Sequence, residues 1–114
     1  MVNDCLFCKI AAGEIPSDKV YEDENLVIIK DIKPLTPIHL LVIPKRHVPT
    51  LNDLAPSDPL LSQVFSAILK VTKQLQIAEE GYRVVANCNE GAGQSVWHIH
   101  LHLLGGRRFT WPPG

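Results

Sequence analysis

Val96-Trp97-His98-Ile99-His100-Leu101-His102-Leu103-Leu104 is the stretch on which the fold of this chain turns. Histidine recurs at every second position from 98 to 102 with an apolar residue at each position between, which is the period of a β-strand. The alternation predicts His98, His100 and His102 on one face and Ile99, Leu101 and Leu103 on the other. A lone strand histidine is ordinarily satisfied by backbone or water. Three on one face are costly, because imidazoles disfavour charging one another and valine or isoleucine would bury better. Metal binding and nucleophilic catalysis are the two chemistries that account for such a cluster.

Outward from this strand, residues 82–87 read as a further strand, joined to it through the glycine-bearing loop Asn89-Glu90-Gly91-Ala92-Gly93. Residues 26–29 and 38–43 are β-branched-rich runs separated by the proline-bearing stretch Asp31-Ile32-Lys33-Pro34-Leu35-Thr36-Pro37, hence two strands and a constrained loop. Between Pro59 and Ala78, Leu60, Leu61, Val64, Ile68, Leu69, Val71 and Leu75 recur at three- and four-residue spacing and predict the principal helix. Leu6 to Ala12 reads as a short helix closed by Gly13, and Pro16-Ser17-Asp18 turns the chain into a short strand at Val20-Tyr21. Strands on both sides of one helix predict an α+β fold. His39 falls within one strand run and His47 follows Pro44-Lys45-Arg46, so all five histidines lie on or beside the proposed sheet.

With 114 residues, 46% of them apolar, the chain can bury a core and is expected to form a single domain over residues 1–114. A formal net charge of −1 leaves no broad basic surface for the phosphate contacts that dominate nucleic-acid binding, so no nucleic-acid partner is expected. The first residues carry no cationic leader before an apolar run, and no segment approaches the ~18 apolar residues that span a bilayer. A soluble, cytoplasmic protein without a membrane partner is the expectation. Cys5, Cys8 and Cys88 form an odd set, which favours thiols or metal ligands over a disulfide framework. The closing Trp111-Pro112-Pro113-Gly114 is too rigid and aromatic for an ordinary fraying end and is expected to dock.

His98-Ile99-His100-Leu101-His102-Leu103-Leu104 resembles the signature of the histidine triad (HIT) superfamily, and Leu41 to His47, Gly93 to Trp97, Gly105-Gly106-Arg107 and the Trp-Pro-Pro-Gly ending resemble its Hint branch, from about Cys5 to the C-terminus. The resemblance implies a HIT-like fold: an antiparallel sheet of about five strands with one principal helix and a short N-terminal helix, two such sheets being joined across a homodimer. It implies that His100 attacks the α-phosphorus of a nucleoside monophosphate derivative to form a nucleotidyl-histidine that water then cleaves. His102, His98 and His39 would orient the nucleophile and assist at phosphate, and Ser95 would assist the leaving group. Gly93 and Gln94 would supply phosphate contacts. Asp31 would accept from ribose hydroxyls, although an aspartate there can equally be a turn residue. Ile32 would wall the base, Asn87 would lie near ribose and phosphate, and Trp111 would reach towards the active site of the partner subunit. A purine nucleoside phosphoramidase follows. A dinucleoside polyphosphate hydrolase, or a non-catalytic nucleotide-sensing scaffold, remains the alternative.

Cys5-Leu6-Phe7-Cys8 sets two thiolates on one turn, a metal-chelating spacing that two nitrogen ligands would complete as a tetrahedral structural zinc site. The same resemblance supplies His47 and His98 as those ligands and zinc as the only cofactor. The competing reading makes both cysteines reduced packing residues, and Cys88 reads as a small structural thiol.

Overall fold

The computed structural model describes residues 4–114. Helix α1 (Leu6–Ala11) leads into strands β1 (Lys19–Glu22), β2 (Leu26–Lys30) and β3 (Ile38–Pro44), then helix α2 (Leu60–Gln74), and strands β4 (Arg83–Val85) and β5 (Leu101–Gly105). The strands make one antiparallel sheet in the order β1-β2-β3-β5-β4. The expected α+β class and five-stranded sheet are what the chain adopts.

Alternation along the strands divides the sheet into two faces with different partners. Leu26 and Ile28 of β2, Leu40 and Val42 of β3, and Leu101 and Leu103 of β5 pack against Leu60, Val64, Ala67, Ile68 and Val71 of α2. Val27 and Ile29 of β2 and Leu41 and Ile43 of β3 turn the other way, onto Phe7, Ile10 and Ala11 of α1. The short α1 covers only part of its face. Leu41 stands directly opposite His102 in the β3–β5 register, so His102 and, two residues back along β3, His39 occupy that same α1 face. These two histidines thus share the thinly covered side of the sheet.

Helix α2 starts where the Asp58 carboxylate accepts from the Leu60 N–H at 2.9 Å and holds Arg46 at 2.6 Å. The Leu60 N–H and the Arg46 guanidinium keep the Asp58 carboxyl below its ordinary value. The helix ends through Gln76 in the left-handed region at φ 60°, with the Ile77 N–H returning to the Thr72 carbonyl at 3.0 Å.

Leu61, Leu69 and Leu75 share the periodic pattern of α2 but are exposed, and Ala67 and Thr72 belong to its buried stripe. Two strands are shorter than their sequences suggest. The strand expected over 82–87 pairs only over Arg83–Val85. The long strand expected over 96–104 is regular only over Leu101–Gly105. Before Leu101 the backbone leaves the ladder, because the Ile99 N–H donates to the Val48 carbonyl at 2.8 Å and the segment lies along the loop that follows β3.

Candidate active site

His39 stands on β3 and is 5% exposed. The Leu35 N–H donates to its Nδ1 at 3.1 Å. Nδ1 is therefore an acceptor, and the proton of the neutral ring resides on Nε2. That nitrogen faces His102 Nδ1 at 2.9 Å and the Asp31 carboxylate at 3.4 Å. His102 Nδ1 accordingly accepts, which leaves the His102 proton on Nε2. Leu35 thus sets the tautomers of two histidines through one amide, and the bracketing Pro34 and Pro37 restrict the loop that holds it.

His100 is fixed independently. Its Nδ1 lies 2.9 Å from the His98 carbonyl oxygen, which can only accept, so Nδ1 carries the proton and Nε2 carries the lone pair. Phe7 packs edge-on against the His100 ring at 4.8 Å, and the His100 and His102 rings lie 5.3 Å apart. A neutral imidazole with its lone pair on Nε2 therefore neighbours one that presents an N–H, which pairs a nucleophile with a hydrogen-bond donor. Burial is the largest influence on His102 and holds it below its ordinary 6.5, with neighbouring His100 and His39 acting the same way and Asp31 opposing.

The His98 ring takes no part in that arrangement. It is fully buried, Nε2 donates to the Pro44 carbonyl at 2.7 Å, and Nδ1 points to a second cluster. His98 Nδ1 lies 3.3 Å from Cys5 Sγ and 3.5 Å from Cys8 Sγ, while His47 Nδ1 lies 3.2 Å from both Cys8 Sγ and His98 Nδ1. A tetrahedral zinc with Zn–S near 2.3 Å and Zn–N near 2.0–2.1 Å sets its ligand atoms about 3.3–3.8 Å apart, close to these separations. The two thiol sulfurs and two ring nitrogens converge within 4.8 Å of one another, so the cluster can hold a metal ion. The Pro44 carbonyl directs the His98 lone pair inward, as a second shell does for a metal-ligating histidine. Burial, the largest influence, and neighbouring His47 and His100 lower the His98 pKa against the opposing Pro44 carbonyl, which favours the neutral ligand form. Asp31, His39 and His102 also gather donor atoms within 4.8 Å, but there the His39 and His102 Nδ1 lone pairs accept hydrogen bonds.

Of the remaining expected residues, Asp31 accepts from the Lys33 N–H with Oδ1 and faces His39 with Oδ2, so it is both turn residue and part of the histidine chain. Ile32 is 92% exposed beside it, and Asn87 is half-buried. Gln94 is held within its own loop. Its Oε1 accepts from the Asn89 N–H, its Nε2 donates to the Pro49 and Val96 carbonyls, and its own N–H donates to the Asn89 carbonyl. All its donors are engaged within the protein, so Gln94 braces the loop. Gly93, in the left-handed region at φ 87°, likewise gives its N–H to the Glu90 carbonyl, and exposed Ser95 follows this brace. Trp111 is 79% exposed, so the tail does not bury it; Arg83 holds the segment by donating to the Thr110 carbonyl at 2.9 Å and lying 4.9 Å over the Phe109 ring. Sequence reasoning missed Phe7, Leu35 and the His98 and Pro44 carbonyls. Phe7 between the two cysteines was the one side-chain signal available, since backbone groups leave no compositional trace.

Known proteins share this architecture. The chain is 44% identical to the Escherichia coli (strain K12) protein named purine nucleoside phosphoramidase, over 94% of this chain and 91% of that one. It is similar to a crystal structure titled HIT family hydrolase from Legionella pneumophila Philadelphia 1, with 53% identity, a TM-score of 0.95, and coverage of 97% and 100% of the two chains. A histidine triad protein from Clostridium difficile superposes with a TM-score of 0.93 at 40% identity, covering 96% of each chain. The family model described as HIT domain matches residues 12–109, so the antiparallel sheet and its alternating histidines are those of a chain that belongs to the HIT domain family.

Proposed function

We propose that this protein hydrolyses purine nucleoside phosphoramidates, or closely related nucleoside monophosphate derivatives, through a nucleotidyl intermediate on His100. The observation that carries the reading is the tautomer of His100, whose Nδ1–H is given to the His98 carbonyl and whose Nε2 retains a lone pair beside His102. The activity named for the 44% identical relative supports the substrate class.

In the first half-reaction His100 Nε2 forms a bond to phosphorus, the bond from phosphorus to the amine breaks, and the amine leaves with a proton from the Ser95 hydroxyl, which the water of the second half-reaction restores. The ring becomes cationic as it takes phosphorus, and its bond to the His98 carbonyl becomes charge-assisted, which favours the transition state over the ground state. His102 Nε2–H is available to the growing negative charge on the phosphoryl oxygens, and His39 holds that tautomer. Water then cleaves the His100–phosphorus bond and releases the nucleoside monophosphate. Asp31 is assigned to the ribose hydroxyls, exposed Ile32 to the wall of the base site, and Asn87 to the ribose–phosphate junction.

Cys5, Cys8, His47 and His98 are assigned to a structural zinc ion, which would cross-link α1 to the loop that follows β3 and to the segment before β5. The protein is assigned to a homodimer, on the strength of an apolar stripe that Leu61, Phe65 and Leu69 leave exposed at four-residue spacing along α2. Trp111 is assigned to the neighbourhood of the partner's site.

Steady-state kinetics on adenosine 5′-phosphoramidate and on a diadenosine polyphosphate test the function. The expected result is a higher kcat/KM for the phosphoramidate, and loss of at least about a hundredfold in His100→Ala with its fold retained. Preference for the dinucleotide, or full activity in His100→Ala, contradicts the proposal.

A further inference from the structure

The metal-ligating cluster and the nucleophile share two physical links. His98 presents its ring to Cys5, Cys8 and His47, and its backbone carbonyl to His100 Nδ1–H. One residue therefore belongs to both sites, by its two ends. The second link is α1. Cys5 is its N-cap, with Sγ accepting from the Cys8 N–H at 3.4 Å, and Phe7 between the two cysteines lies 4.8 Å from the His100 ring and 6.1 Å from His98. The turn that carries both sulfurs also carries the ring against which His100 rests.

We propose that Cys5, Cys8, His47 and His98, when they hold a divalent metal, position the His100 imidazole, so that metal binding in the cluster and nucleotide binding at His100 strengthen each other. The inference rests on the zinc and nucleotide assignments above and adds the coupling between them. The physical reason lies in where the segment before β5 is anchored. Regular pairing begins only at Leu101, so residues 98–100 have no sheet ladder to hold them. They are held instead by the Ile99 N–H to the Val48 carbonyl, by His98 Nε2 to the Pro44 carbonyl, and by the cluster itself. With the cluster closed on a metal, the His98 ring is fixed at both nitrogens, and with it the peptide carbonyl that directs His100. With the cluster open, the four groups keep contacts with one another but no single ion draws them together. The His98 ring and the first turn of α1 then gain freedom, and that freedom passes to the His100 rotamer through the carbonyl and through Phe7. Coupling of this kind is reciprocal, because the free energy connecting two bound states is the same from either side.

Two measurements test it. The first is the affinity of AMP for the zinc-loaded protein against the chelator-treated protein, with circular dichroism verifying that both are folded. If the metal-free protein unfolds, cadmium-loaded protein, with longer metal–sulfur bonds, replaces it. Tighter AMP binding to the zinc form by at least about fivefold is expected, with AMP tightening zinc in a chelator competition by the same factor. The second is the proton resonance of the His100 Nδ1–H, assigned through His100→Gln. It is expected to be slow-exchanging in the zinc form, and broadened by exchange in the metal-free or cadmium form. A merely structural metal would leave that resonance unchanged. Equal AMP affinities together with an unchanged Nδ1–H overturn the proposal, as does failure to bind zinc. If the zinc-loaded protein binds no AMP, the nucleotide assignment fails, and the resonance alone then decides the coupling.

Discussion

At the scale of the residue, two backbone groups define the chemistry of the histidines. The Leu35 N–H sets the proton on His39 Nε2 and thereby leaves His102 an acceptor at Nδ1, while the His98 carbonyl sets the proton on His100 Nδ1. Burial lowers the His102 pKa from 6.5, so the neutral donor form persists further into acid than for an exposed histidine. The sign of the linked stability follows: a histidine depressed in the folded state contributes stability that is complete above its unfolded value and is lost as pH falls through the folded one. His102 is predicted to titrate below 6.5 in an NMR pH titration of its ring protons, and His102→Gln should reduce the loss of stability across the same range. A His102 midpoint above 6.5 would contradict its burial as a neutral ring. The tautomers were not legible in sequence. The pattern announced that three imidazoles would gather and the resemblance set His98 beside Cys5, Cys8 and His47, but neither foretold that the His98 carbonyl would be given to His100.

Among the elements, the features that depend on local side-chain period were readable, and those that depend on remote backbone partners were not. β2 and β3 emerged from runs of branched residues because both of their faces are covered, one by α2 and the other by α1. The strand over 96–104 was overextended because alternation persists in the side chains after the ladder has ended. Ile99 still points to the α2 core, although its N–H is given to Val48. The bracing by Gln94 was hidden for a related reason, since only the coordinates reveal that its amide is occupied by backbone. At the end of α2, Gln76 takes the left-handed conformation that favours glycine. Gln76→Gly should therefore stabilise the protein by about 0.5–1 kcal/mol in denaturant unfolding, the relief of the Cβ penalty exceeding the entropy cost. Destabilisation would show that the Gln76 side chain holds the turn.

For the whole molecule, the arrangement separates support from chemistry. α2 packs one face of the sheet through a continuous apolar core, and the opposite face, covered in part by α1, carries His39, His100 and His102 beside the Cys5–Cys8–His47–His98 cluster. The periodicity of α2 announced the helix, but not that Leu61 and Leu69 lie outside its buried stripe. Together with Phe65 they lie outward and exposed, where a second copy would cover them. Phe65→Glu is predicted to shift the protein from dimer to monomer in analytical ultracentrifugation, and a wild-type monomer at micromolar concentration would contradict the assembly. No helix among the described residues is long and apolar enough to cross a membrane. The central claim concerns a single atom, Nε2 of His100, and rapid-quench mass spectrometry during turnover of adenosine 5′-phosphoramidate tests it most directly. The account predicts a transient adenylyl group mapped to His100 and absent from His100→Ala. Turnover at the full rate with no adduct, or with the adduct on another residue, would contradict it.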